Sequence, residues 1–211
     1  MNMRKKIFGL NIPNALSLLR VLLVPFFMAA IIYGGDGFAD GFNTVGRLVA
    51  AGLFILTGLT DMLDGKIARK YQLVTDFGKF IDPLADKFMV FGALVAILAT
   101  YGYIADVFVW VSAIVMLREL AITSLRLVVA GKSGTVIAAS WWGKVKTVTQ
   151  IVSICVIILE PVVFCELFGL YNPIADAPYA SYVAMAAMLV TTVGSGIDYV
   201  RAYFPLLDTN K

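Results

Sequence analysis

The sequence contains no histidine. That absence excludes the Ser-His-Asp and Cys-His forms of nucleophilic catalysis and any histidine-ligated zinc site. Cysteine is nearly absent as well, with only Cys155 and Cys165 in one apolar stretch. On a helix their spacing is about 15 Å of rise, too far for a disulfide between them. Both are expected to be inert packing residues. Charge is scarce: 15% of the 211 residues are charged and 60% are hydrophobic, with a mean hydropathy of +0.87. Ordinary soluble domains carry about 25% charged residues. A soluble domain of this composition would have more apolar surface than it could bury. The chain reads as an integral membrane protein, which argues against disorder or nucleic-acid binding as its main role.

A bilayer core takes about 20 mostly apolar residues per helix. Six stretches meet that requirement, at about residues 15–33, 45–63, 84–103, 107–130, 147–169 and 178–200. The expected fold is all-α: one polytopic membrane domain over residues 1–211, with six transmembrane helices and no internal repeat. Residues 1–10, with Arg4, Lys5 and Lys6, predict a short amphipathic helix at the membrane interface, ended near Pro13. The loops at about 34–44, 103–107 and 170–178 carry Asp36, Asp40, Asp106 and Asp176 but no Lys or Arg. Most of the 17 positive charges lie at the N-terminus, in the 64–87 region, in the 131–146 loop and at the C-terminus, with Arg47 the exception. The positive-inside rule then places both termini in the cytoplasm. No signal-peptide cleavage site or transit segment is recognisable, which points to a bacterial cytoplasmic membrane. The basic side is suited to anionic lipid headgroups and phosphate-bearing ligands.

The densest group of intramembrane charges lies where the second span ends and the third begins. Asp61 and Asp64 are spaced i, i+3, and Asp82 and Asp86 are spaced i, i+4, so each pair shares a helix face. A short connection predicts that the two helices fold back as antiparallel neighbours, bringing four carboxylates together near the cytoplasmic boundary. Four carboxylates in a low-dielectric groove do not all stay ionised without a neutralising partner. With no histidine or thiolate nearby, that partner is a hard cation with oxygen ligands, Mg²⁺ or Mn²⁺. Two such ions would form a clamp for phosphoryl chemistry. Gly65 and Ala68 keep one helix face bare for a diphosphate, Arg69 can pair with its oxygens, and Gly78 opens the face of Asp82. Lys66, Lys70 and Lys79 read as snorkelling ends, and Asp76 as a helix cap.

Asp61, Asp64, Gly65, Ala68, Arg69, Gly78, Asp82 and Asp86 together spell D-x-x-D-G-x-x-A-R-x8-G-x3-D-x3-D. This string resembles the signature of the CDP-alcohol phosphotransferase family. The resemblance implies a metal-dependent, usually dimeric membrane enzyme that transfers a phosphatidyl or similar group from a CDP-linked donor to an alcohol and releases CMP. It further implies metal binding by Asp61, Asp64, Asp82 and Asp86, with Asp86 as the base, and CDP binding by Asp61, Gly65, Ala68, Arg69 and Gly78.

Three more segments resemble the bacterial branch of that family that makes phosphatidylglycerophosphate: Asn11 through Arg20, Arg118-Glu119-Leu120 through Arg126, and Trp141 through Thr147. They imply CDP-diacylglycerol as donor and glycerol 3-phosphate as acceptor. A small dianion needs fixed positive charge, and Arg118, Arg126, Lys144 and Lys146 are the candidates. Glu119, Thr123 and Arg126 form a polar stripe at i, i+4, i+7. Other readings stand beside these. Arg118 and Glu119 could form a structural ion pair, Lys144 and Lys146 could be anchors on the basic side, and Arg20 could pair with an aspartate. Asn11 and Asn14 could cap the first span, and Pro161 should kink the fifth. Glu160 and Glu166 have no assigned role, and the last 60 residues offer no motif. The rival activities are a sister enzyme using phosphatidylglycerol, inositol phosphate or serine, and a cation transporter.

Overall fold

The computed structural model describes residues 6–7, 10–34, 44–71, 75–133, 141–170 and 176–203. Within these, side chains at 6–13, 34, 61–74, 76, 77, 79 and 130–133 are outside the description. The described residues form six long helices: α1 (Ile12–Gly34), α2 (Thr44–Tyr71), α3 (Asp76–Thr100), α4 (Ala105–Ser133), α5 (Trp141–Glu160) and α6 (Tyr179–Tyr203). A 3₁₀ turn, Gly102–Ile104, joins α3 to α4, and a π-helical segment, Pro161–Leu167, continues α5. The bend expected at Pro161 is therefore a change of helix type. Proline cannot donate the backbone bond that an α-helix needs at that point.

Five of these stretches are long and apolar enough to cross a bilayer, and α2 adds a sixth helix whose apolar part is Thr44–Thr60. The 28 residues of α2 rise about 42 Å, more than the ~30 Å hydrocarbon core. Its final turns, which carry Asp61 to Arg69, therefore reach the boundary. The interfacial helix expected over residues 1–10 falls largely outside the described residues. Lys6–Ile7 (β1) pairs antiparallel with Leu10–Asn11 (β2), and α1 begins directly afterwards.

The helices pack as two groups of three. Among the described residues α1 lies against both α2 and α3, which share few contacts with each other, while α6 lies against both α4 and α5. The groups meet where α2 faces α5 and α3 faces α4. The expected pairing of the end of α2 with the start of α3 falls on side chains outside the described residues; among the described ones, each of the two helices packs chiefly on α1. The core holds Val24, Phe27, Phe54, Leu94, Phe108, Ile154 and Met188, all fully buried. Phe27 and Phe54 meet edge to face with ring centroids 5.6 Å apart. Gly92 permits the α1–α3 contact, since a Cβ there would lie 2.8 Å from Val24 Cγ1. Outward-facing Leu22, Phe26, Leu117, Val183 and Val190 stay exposed, as lipid contact requires. Arg47 is buried at the end of α2 away from the aspartates, its guanidinium 4.9 Å from the centre of the Tyr101 ring. That packing explains why it departs from the loop-charge pattern.

Candidate active site

One face of α1 presents Asn14, Ser17 and Arg20, all buried, to the start of α3. Asn14 Nδ2 donates to Thr75 Oγ1 at 2.8 Å. Ser17 Oγ donates to Asp82 Oδ1 at 2.5 Å. Arg20 donates to and ion-pairs with Asp86. The order of these pairs shows α1 and α3 running in the same direction. Two sequence readings change here. Thr75, not Asp76, is the N-cap of α3, accepting from the Gly78 N–H at 3.0 Å. Asn14 sits inside α1 and holds Thr75, so it is no cap. Gly78 is buried, and a Cβ on it would lie 2.8 Å from Asn14 Oδ1. Its bare face receives Asn14 of α1.

Beyond Asp82 and Asp86 lies a cavity of about 570 Å³, walled by α3, α4, α5 and α6 and touched by Gly58 of α2. Its lining includes Asp82, Asp86, Arg118, Arg126, Lys144 and Lys146. The fold thus gathers two of the four predicted aspartates and all four predicted cations around one space. The side chains of Asp61, Asp64, Ala68 and Arg69, like the position of Gly65, fall outside the described residues, although all five lie on the last turns of α2.

The four cations are not equivalent. Glu119 ion-pairs with Lys146, and its Oε1 also accepts from Arg118 Nη1 at 3.2 Å. Arg118 Nη2 donates to Ser195 Oγ at 2.8 Å, and its guanidinium lies 5.6 Å from the centre of the Tyr199 ring. Arg118 and Lys146 are therefore tied into a buried knot around Glu119. Arg126 and Lys144 are exposed on the cavity wall. The polar stripe Glu119, Thr123, Arg126 does face the cavity in full. Ser195 and Tyr199 come from the motif-free last 60 residues, and no sequence signal singled them out. Gln150, also on the cavity wall, could have been found as a polar residue one helical turn after Lys146 within an apolar span.

Among the described residues no group of three or more metal-ligating side chains comes together. Asp82 and Asp86 nevertheless offer hard oxygen donors one turn apart on the same cavity, and no imidazole or thiolate lines it. That donor set fits Mg²⁺ or Mn²⁺. Glu160 has a different part. It is 2% exposed and accepts from the Ala180 and Ser181 N–H groups at 2.9 and 2.7 Å, and from Ser181 Oγ. It caps α6 from the end of α5 and touches nothing in the cavity. Cys155 and Cys165 are both free.

The profile of the CDP-alcohol phosphatidyltransferase family matches residues 10–194. The CDP-diacylglycerol–glycerol-3-phosphate 3-phosphatidyltransferase of Bacillus subtilis is 37% identical over 205 residues, covering 95% of this chain and 99% of that protein. The protein of the same name from Haemophilus influenzae is 38% identical over 194 residues, covering 90% and 92%. That of Yersinia pestis is 37% identical over 199 residues, covering 92% and 94%.

Proposed function

The chain belongs to the CDP-alcohol phosphatidyltransferase family, and on that premise we propose that it transfers the phosphatidyl group of CDP-diacylglycerol to glycerol 3-phosphate, giving phosphatidylglycerophosphate and CMP. The observation that carries this reading is the shared cavity, in which two aspartates of the signature face a set of Arg and Lys side chains. Carboxylates of the signature serve the donor diphosphate, and the cations serve a small anionic acceptor. An uncharged acceptor would have no use for Arg126 and Lys144. A cation path would need acids spread through the bilayer depth, whereas Asp82 and Asp86 share one end of α3.

The donor's acyl chains stay in lipid, and its diphosphate lies against the ends of α2 and α3. Divalent cations held by Asp61, Asp64, Asp82 and Asp86 would neutralise that diphosphate and the departing CMP. Arg69, on the bare face left by Gly65 and Ala68, pairs with the CDP oxygens. The acceptor phosphate meets Arg126 and Lys144 at the exposed part of the wall, with Arg118 and Lys146 held behind them by Glu119. Asp86 accepts the proton of the acceptor's 1-hydroxyl and later releases it to water. The oxygen forms a bond to the phosphatidyl phosphorus while the bond from that phosphorus to the CMP oxygen breaks. Arg20 orients Asp86 from the α1 side. No side-chain nucleophile is used, so transfer is direct.

The lopsided distribution of Lys and Arg supports a cytoplasm-facing cavity in a bacterial inner membrane, and the family resemblance supports a homodimer. The test is an acceptor panel. Purified protein is given labelled CDP-diacylglycerol, Mg²⁺ and one alcohol at a time, and the lipid product is identified. Phosphatidylglycerophosphate is expected from glycerol 3-phosphate. Product only from phosphatidylglycerol, inositol phosphate or serine would overturn the acceptor assignment.

A further inference from the structure

Gln150 lies on the cavity wall one helical turn beyond Lys146, on the same face of α5. It is only 2% exposed, yet its Nε2 meets no hydrogen-bond partner among the described residues. Buried polar groups are almost always paired, and an amide left dry is penalised. A partner absent from the free protein and present in the loaded one removes that penalty. Gln150 also marks the floor of the cavity. Farther along α5 come Ile154 and Ile157, both fully buried, and α2 closes in beside it where Gly58 approaches Ile151. Lys144, exposed on the same wall, is six residues nearer the start of α5, about 9 Å of rise. That depth suits a phosphorylated three-carbon alcohol lying with its phosphate toward Lys144 and its carbon chain toward the floor.

A neutral amide adds nothing to the charge balance of a dianion that Arg126 and Lys144 already meet. It is suited to a hydroxyl, which can both accept from an N–H and donate to a carbonyl, so either orientation of the amide serves. We propose that Gln150 is a specificity-determining residue that hydrogen-bonds the acceptor's secondary hydroxyl. The proposal rests on the acceptor reading above. A site built to bond a hydroxyl rejects an analogue that lacks it, because the buried polar group is again left alone.

The experiment compares glycerol 3-phosphate with its 2-deoxy analogue, 3-hydroxypropyl phosphate, on the wild type and on Gln150→Leu and Gln150→Met, two apolar replacements of similar volume. The wild type is expected to favour glycerol 3-phosphate by about tenfold in kcat/KM. Both variants should lose about tenfold on glycerol 3-phosphate, keep their rate on the analogue, and leave the KM for CDP-diacylglycerol unchanged. A wild type that uses both acceptors equally overturns the proposal without any variant having to fold. So does an equal loss on both acceptors in either variant, which is the mark of a merely structural role. A wild type that turns over neither acceptor but uses another alcohol overturns the acceptor reading itself, an outcome separate from the other two.

Discussion

Replacing Glu119 by Gln tests the buried knot directly. The Glu119 side chain is 15% exposed, that of Lys146 8% and that of Arg118 12%. The substitution keeps the shape but leaves two buried cations side by side without their carboxylate. Removing one partner of a buried pair costs about 3–5 kcal/mol. Because the knot borders an open cavity, the lower end, about 3 kcal/mol, is expected. For a chain of this size each kcal/mol moves Tm by about 2–4 °C, so the variant should melt about 6–12 °C lower. Thermal unfolding in detergent reads this. The double variant Glu119→Gln/Lys146→Met removes one of the stranded cations and should recover part of the loss, with a coupling of about 2 kcal/mol between the positions. A single variant that melts within about 2 °C of the wild type, or two effects that simply add, would refute the knot. Arg118 and Lys146 would then have to be counted as free ligands for the acceptor.

Arg126→Ala and Lys144→Ala should each raise the acceptor KM about tenfold and leave the donor KM unchanged, as steady-state kinetics with each substrate varied would show. An equal rise for both substrates would contradict their placement at the acceptor. Asp86→Asn should cut CMP release by at least about 100-fold while CDP-diacylglycerol still binds; retained turnover would remove Asp86 from the role of base. EDTA should abolish activity, and Mg²⁺ or Mn²⁺ should restore it. Glu160→Gln should cost about 1 kcal/mol of stability as the α6 cap weakens, with turnover unaffected.

What the sequence disclosed follows the range of its patterns. The pairs Asp82/Asp86 and Glu119/Thr123/Arg126 are set by helical periodicity, and both do face one cavity. Contacts between distant positions leave no such trace. Asn14 and Thr75 are 61 residues apart, Glu119 and Lys146 27, and Arg118 and Ser195 77. Nothing in their local spacing announces them: the neighbouring Arg118 and Glu119 could be anticipated as an ion pair, but not that Lys146 and Ser195 join them. Gly78 is a related case. A missing side chain signals close approach, but not by what, and here Asn14 fills the space. Glu160 was opaque because the groups it serves belong to the start of the next helix. At the N-terminus the pattern of charges was amphipathic, but the segment was too short for the pattern to decide its conformation.

The division into two groups of three helices has a mechanical consequence. Each group has its own central helix, α1 in one and α6 in the other, and the two meet along the α2–α5 and α3–α4 lines. The cavity draws its wall from both leaves, with Asp82 and Asp86 on one and Arg118, Arg126, Lys144 and Lys146 on the other. Any change in the spacing of the two leaves would therefore change the separation between the acids and the bases.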